Sequence, residues 1–177
     1  VGIVKMVKGD AGTVVALKTA LGKNVFGGVS QRDINWSLAT YDVNTLKLTK
    51  TDAPKIVYGL TQVNLETIEH FNGKLRLIAT QPDPETGKLH FIQQILEPRS
   101  LTGKGAQLFH EMPFDELNKP ADYYQPHMAV GFGSLVSQDS SMLMLQLTPD
   151  LTTRSAGCPI HAMVFDKTMK LKWQRSL

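Results

Sequence analysis

The 177-residue sequence predicts an all-β protein built from three copies of one four-stranded antiparallel unit. Three observations lead to this fold class. Short runs rich in Val, Ile, Leu, Thr and aromatic residues alternate in part with polar positions, as half-buried strands do. Gly, Pro, Asn and Asp separate these runs. No long apolar stripe with helical spacing is present, although residues 15–24 and 110–119 are each long enough for one or two helical turns.

Two sets of similar segments show the internal repeat. The first set opens with a turn residue, continues into an apolar run and closes on a threonine: GDAGTVVALKT (9–19), FNGKLRLIAT (71–80) and SQDSSMLMLQLT (137–148). The second set ends a strand-like run in a large side chain followed by an acid: Tyr41-Asp42, Leu96-Glu97 and Phe165-Asp166. Because both sets keep one order and similar spacing, the chain is predicted to contain one unit three times.

Each unit is predicted to contain four strands, A to D. In the first unit they lie at 1–7, 13–19, 35–41 and 46–51. In the second they lie at 64–71, 74–80, 89–96 and 101–109. In the third they lie at 128–136, 141–148, 160–165 and 169–175. The chain is therefore one repeat domain over 1–177, with units at about 1–52, 63–109 and 127–177 joined by loops 53–62 and 110–126.

Tandem four-stranded antiparallel units are the blades of a β-propeller. The turn before strand B and the acid after strand C resemble the repeats of WD40-like and TolB-like propellers. The stretch VFDKTMKLKWQ (164–174) is similar to repeats of uncharacterised exported propellers of Bacteroidota. No WD dipeptide is present, and the spacing of the closing threonines exceeds the roughly 40–45 residues of a WD40 repeat. The resemblance implies a propeller fold, and the likeness to exported proteins implies an extracytoplasmic location, either periplasmic or at the cell surface, with a cytoplasmic location as the alternative.

Three blades are fewer than the roughly four to eight that close a propeller ring. The sequence therefore predicts three blades of a larger ring of six to eight. A start at Val1 instead of Met favours a segment of a longer chain. The alternatives are two copies that complete a six-bladed ring and an open prism of three sheets.

The predicted strand order divides the connections between two edges of the sheets. Short A–B and C–D turns lie at one edge, and the longer B–C and D–A connections lie at the other, which we call the loop face. Long loops on a rigid scaffold are where binding concentrates. The candidate binding residues on the loop face are Arg32, Tyr58, Asp83, Glu85, Tyr123, Tyr124, His127 and Arg154.

Composition limits the classes of function. The net charge is +3, and the excess cations lie mainly on D strands, where edge lysines discourage aggregation, so nucleic acid is not favoured as a partner. One cysteine, Cys158, excludes an internal disulfide framework, and no run of about 18 apolar residues could span a membrane. Cys158 and His161 have the spacing of a zinc pair, but a second cysteine pair is missing. We expect neither a metal nor another cofactor.

Catalytic motifs are also absent from the sequence. No GxSxG nucleophile motif occurs. Asp83, Glu85, Asp115 and Glu116 include pairs of carboxylates, but PDPETGK (82–88) is typical of a turn.

The predicted function is therefore a non-enzymatic propeller segment that serves as a protein-binding scaffold through its loop face. Its partners would be other proteins or the remaining blades of the same chain. One alternative is part of a hydrolase or carbohydrate-active propeller enzyme, with catalytic residues shared with missing blades. Another alternative is a structural component of a cell-envelope assembly.

Overall fold

The computed structural model describes residues 2–10, 12–21, 34–59, 63–113, 131–148 and 160–177, which form three four-stranded sheets. Sheet 1 contains β1 (Gly2–Lys8), β2 (Thr13–Leu21), β3 (Ile34–Asp42) and β4 (Leu48–Asp52). Sheet 2 contains β5 (Asn64–Phe71), β6 (Lys74–Asp83), β7 (Lys88–Leu96) and β8 (Gln107–Pro113). Sheet 3 contains β9 (Gly131–Val136), β10 (Met142–Thr148), β11 (His161–Asp166) and β12 (Leu171–Ser176).

Each sheet is an antiparallel meander in which consecutive strands are hydrogen-bonded neighbours. No helix occurs within the described ranges. The prediction of an all-β chain with three four-stranded antiparallel sheets is confirmed.

The last strand of sheet 2 begins later than the sequence indicates. We predicted it over 101–109, whereas β8 spans Gln107–Pro113. The chain first makes a turn in which Leu101 has a positive φ of 55°, and Gly103 then forms an isolated bridge to Leu96. Regular pairing therefore resumes only at Gln107, and the pairing shows an irregularity opposite Phe91 and Ile92. Residues 110–113, which the sequence assigned to a connecting loop, belong to the strand.

In sheets 1 and 3, the acid that follows strand C caps the C–D turn. Asp42 Oδ1 accepts hydrogen bonds from the backbone nitrogens of Asn44 at 3.0 Å and Thr45 at 2.8 Å. Asp166 Oδ1 accepts from the backbone nitrogen and the hydroxyl of Thr168 at 2.9 and 2.6 Å. These hydrogen bonds hold the pKa of both carboxyls below the usual range. In these two sheets the acid therefore serves turn formation, as in other Asx turns.

Sheet 2 is packed on both of its faces. A core between sheets 1 and 2 contains Val15, Leu17, Leu38, Leu65, Ile68, Leu75, Leu77, Leu96 and Leu101. A second core between sheets 2 and 3 contains Phe71, Ile78, Leu89, Phe91, Met112, Leu143, Leu145, Leu147, Met163, Phe165 and Met169. In β6, Leu75 and Leu77 lie in the first core and Ile78 lies in the second, as the two-residue period of a strand requires.

The first strands of the three sheets lie next to one another. β1 contacts β5, and β5 contacts β9. Meanders stacked face to face with their first strands together have the arrangement of propeller blades. The three sheets are therefore three consecutive blades.

Candidate functional site

Three of the eight predicted binding residues lie in the described part of the chain, and the structure places them at the loop face of sheet 2. Tyr58 lies in the connection from β4 to β5, Asp83 ends β6, and Glu85 lies in the turn between β6 and β7. The other five predicted residues lie outside the described residues: Arg32, Tyr123, Tyr124, His127 and Arg154.

The β6–β7 turn fixes the position of Asp83. Its Oδ1 accepts from the backbone nitrogens of Glu85 at 3.0 Å and Thr86 at 3.3 Å, and its Oδ2 accepts from the Thr86 hydroxyl at 2.7 Å. Gly87 closes the turn with a φ of 66°, in the left-handed region that glycine adopts without strain. The pKa of Asp83 is lowered, first by the Thr86 hydroxyl and more weakly by the nearby His90. Glu85 contributes a backbone nitrogen to this turn.

His90 on β7 is the residue around which the site is assembled. Its register partners are Gln81 on β6 and Glu111 on β8. His90 Nε2 lies 3.2 Å from Glu111 Oε1 and 3.8 Å from Asp83 Oδ2, and 13% of the side chain is exposed. His90 Nδ1 is buried, and no described residue forms a hydrogen bond with it.

Tyr58 and Lys88 complete this group. The Tyr58 ring meets the His90 ring edge to face, with 6.4 Å between the centroids. Gln81 Nε2 donates to the Tyr58 carbonyl at 3.1 Å and so holds the connection against sheet 2. Lys88 Nζ lies 2.9 Å from Glu111 Oε2. We call Tyr58, Asp83, Lys88, His90 and Glu111 the His90 cluster.

The two carboxyls of the His90 cluster have lowered pKa values. The pKa of Glu111 is lowered, chiefly by the hydrogen bond from Lys88 and then by the lysine's charge. The pKa of Asp83 is lowered as well. A general acid needs a pKa near the working pH, so two carboxyls with lowered pKa values act here as hydrogen-bond acceptors and as negative charges. The carboxylates of Asp83 and Glu111 and the ammonium of Lys88 together carry one net negative charge.

No group of three or more His, Cys, Asp and Glu side chains in the described ranges has the geometry to hold a metal ion. No helix in those ranges is long and apolar enough to cross a membrane.

Sequence reasoning missed His90, Lys88 and Glu111 as site residues. The spacing of the histidines along the chain reveals no motif. The pairing of neighbouring strands is the signal that could have identified these residues. In a meander, the end of β6, the start of β7 and the end of β8 lie side by side, so Asp83, His90 and Glu111 had to be neighbours.

No protein-family model and no curated protein matches this chain. Among solved structures, the chain is similar to the β-propeller domain of the Trilobed protease from Pyrococcus furiosus. The identity is 8% and the TM-score is 0.46, over 99% of this chain and 42% of that chain. It is also similar to the WD40 domain of SCAP from fission yeast, with 14% identity and a TM-score of 0.21, over 95% of this chain and 47% of that chain.

The chain thus spans less than half the length of either solved structure. Because both TM-scores are below 0.5, the blade assignment rests on the topology and packing of the sheets themselves. The similarity to exported propellers of Bacteroidota stays a prediction.

Proposed function

We propose that this propeller segment binds another protein through its loop face and that the His90 cluster is a contact point. The observation that carries the proposal is the meeting of Tyr58, Asp83 and Glu111 around His90 at the edge from which the long connections leave. Tyrosines at protein surfaces are enriched in interfaces. The proposed setting, from the sequence resemblance, is extracytoplasmic.

The chemistry of the His90 cluster favours a partner segment that presents lysine or arginine. The carboxylates of Asp83 and Glu111 are 25% and 38% exposed, so both keep oxygen atoms available to a donor. A hydrogen bond between a cation and a carboxylate is roughly twice as strong as a neutral one. The face of Tyr58 could add a cation–π contact.

The residues of the His90 cluster are held in place before any partner binds. Strand pairing fixes His90 and Glu111, the turn fixes Asp83, and Gln81 anchors the backbone at Tyr58. A fixed arrangement reduces the entropy that binding must overcome. This is the property expected of a binding surface on a rigid scaffold.

Titration with labelled peptides of equal length tests the proposal. One peptide is rich in Lys and Arg, and the other is rich in Asp and Glu. We expect the basic peptide to bind more tightly, and the variant Tyr58→Ala/Glu111→Gln to weaken that binding about tenfold or more, which corresponds to about 1.4 kcal/mol. The matched control is Glu97→Gln, an exposed acid of sheet 2 at the edge with the short turns.

Circular dichroism of each variant separates lost binding from lost folding. Equal binding of the two peptides, or unchanged affinity in the folded double variant, would show that the His90 cluster is not the contact point.

A further inference from the structure

A polar cavity of about 430 Å³ lies between sheets 1 and 2 at the edge of the short turns, opposite the loop face. Sheet 1 and the C–D turn of sheet 2 line it, with Asp10, Thr13, Thr40, Thr49 and Lys50 from the first and Arg99 from the second. We call it the Thr40 cavity. Its size lies within the roughly 300–1,000 Å³ of small-molecule sites. Because both walls belong to neighbouring sheets within this chain, the cavity exists whatever precedes sheet 1 or follows sheet 3.

Thr40 carries a buried hydroxyl that the fold leaves without a partner. The residue is 6% exposed, and no described residue forms a hydrogen bond with Thr40 Oγ1. Two positions before the acid that follows strand C, the other units have Ile95 and Val164 at the corresponding place. An apolar side chain fills such a place without a partner, whereas buried hydroxyls nearly always have one. The Thr40 hydroxyl therefore points to a polar group that enters the cavity.

A bulge in β4 turns two consecutive side chains toward the same cavity. Lys50 pairs with Thr40 and Leu48 pairs with Tyr41, so Thr49 is an extra residue between them. Consecutive residues of a regular strand point to opposite faces, but here Thr49 and Lys50 both line the Thr40 cavity. Thr49 Oγ1 donates to the Thr40 carbonyl at 2.9 Å. The pairing of sheet 3 shifts at the same place of the repeat, so the bulge is shared and the hydroxyls are not.

Two cations reach the cavity from its opposite walls, and each is held in place. Lys50 Nζ donates to the Ser100 carbonyl of sheet 2. Arg99 Nε donates to Asp10 Oδ2 at 2.8 Å, and the Thr13 hydroxyl fixes Asp10 by donating to its Oδ1 at 2.7 Å. An ammonium has three N–H donors and a guanidinium has five, so both cations keep donors beyond these contacts. Lys50, Arg99 and Asp10 together carry one net positive charge.

We propose that the Thr40 cavity binds a small molecule through an oxyanion, either a carboxylate or a phosphate. The oxyanion accepts hydrogen bonds from the Thr40 hydroxyl and from N–H groups of Lys50 and Arg99. Planar guanidinium groups suit both oxyanions, because two parallel N–H groups match two of their oxygens. The Asp10 carboxylate orients the guanidinium, and the oxyanion binds on the side of the two cations. This site lies at the edge opposite the His90 cluster and does not depend on the function proposed for it.

NMR titration of the isotope-labelled chain with inorganic phosphate tests the proposal. Citrate is the carboxylate probe, and glycerol is the neutral probe. We expect phosphate or citrate to give saturable shifts below about 10 mM, largest at the backbone amides of Thr13, Thr40 and Thr49, and we expect none from glycerol. The anion that binds more tightly identifies the oxyanion that the cavity prefers.

Thr40→Val and Arg99→Gln separate the two kinds of donor. Each should weaken binding of the tighter anion about tenfold, as the loss of a hydrogen bond to a charged group does. Thr40→Val should not lower the melting temperature, because the hydroxyl has no partner in the described fold. The matched controls are Thr51→Val in β4 and Lys47→Gln in the C–D turn of sheet 1, both exposed and outside the cavity. They should bind the anion as the unchanged chain does.

Several results would overturn the proposal. They are the absence of saturable shifts with both anions, equal shifts with glycerol, and anion binding that Thr40→Val leaves unchanged. Shifts spread evenly over the exposed lysines would overturn it too, since they indicate a general attraction of anions to a chain of net charge +3. Circular dichroism checks that each variant is folded, and a lowered melting temperature of Thr40→Val would show that the hydroxyl serves the fold instead of a ligand.

Discussion

Glu66 is a carboxyl whose burial should make the stability of this fold depend on pH. It lies in β5 at the bulge where pairing with β6 shifts between Leu65 and Thr67. The Thr80 hydroxyl donates to Glu66 Oε1 at 2.5 Å. Burial raises the pKa of Glu66 to about 7 from a model-peptide value of 4.5, and the Thr80 hydrogen bond only partly opposes the rise.

The sign of the resulting pH dependence follows from linkage. Below about pH 4.5 Glu66 is neutral in both the folded and the unfolded chain, so it does not change the free energy of unfolding. Between about pH 4.5 and pH 7 the unfolded chain releases the proton and the folded chain keeps it, which lowers the stability as the pH rises. Above about pH 7 the loss is complete. A rise in pKa from 4.5 to about 7 corresponds to about 3 kcal/mol, and we expect about 2 kcal/mol because part of the side chain meets solvent.

Replacing Glu66 by Gln removes this effect while keeping an oxygen that can accept from Thr80. Urea unfolding followed by circular dichroism should give equal stabilities for the wild type and Glu66→Gln at about pH 4. At about pH 8 the variant should be more stable by about 2 kcal/mol. Glu85→Gln, in an exposed turn, is the control and should change the stability by less than about 0.5 kcal/mol at either pH. A difference between wild type and Glu66→Gln that does not grow with pH would refute the reasoning.

Two further predictions concern contacts between sheets. Lys5 of β1 and Ser134 of β9 both donate to the carboxylate of Glu69 on β5, which is 3% exposed, so Lys5→Met should lower the free energy of unfolding by about 3 kcal/mol. In urea titrations, the double variant Lys5→Met/Glu69→Leu should recover most of this loss. Lys8→Met, on the same strand, is the control. A Lys5→Met protein as stable as the wild type would contradict the prediction. Leu101→Gly relieves a left-handed φ that costs about 1 kcal/mol, but it removes a buried side chain that contributes about 3 kcal/mol. The free energy of unfolding should therefore fall by about 2 kcal/mol. An increase in stability would show that conformational strain dominates at this position.

The fold was predictable because its signals are local and repeated. Alternation within runs such as KLRLIAT (74–80) predicts a strand with two different faces, and β6 does place Leu77 and Ile78 in opposite cores. The acids at Asp42 and Asp166 marked the C–D turns. The start of β8 was not predictable, because the left-handed Leu101 and the irregular pairing near Phe91 depend on packing between sheets.

The candidate site was predictable only in part, for a different reason. The loop face follows from strand order, and Tyr58 and Asp83, two of the residues predicted there, lie near His90. His90 and Glu111 are strand residues, and their role depends on the register that places them opposite each other. Register is fixed by the pairing of whole strands, which a reading of single segments does not supply.

The repeat separates positions that all three sheets share from positions that occur only once. Positions that recur in all three units serve structures that every blade needs, such as the B-strand cores. One group of polar side chains between the first strands of the three sheets does not recur. In this group, β1 supplies Lys5, β5 supplies Glu69 and Thr67, and β9 supplies Ser134. A cation, a buried carboxylate and a hydroxyl satisfy one another only when sheets 1, 2 and 3 meet in this order. Three similar sheets that could stack interchangeably are thereby made distinct, which is the role in structural specificity that buried polar groups play in some proteins.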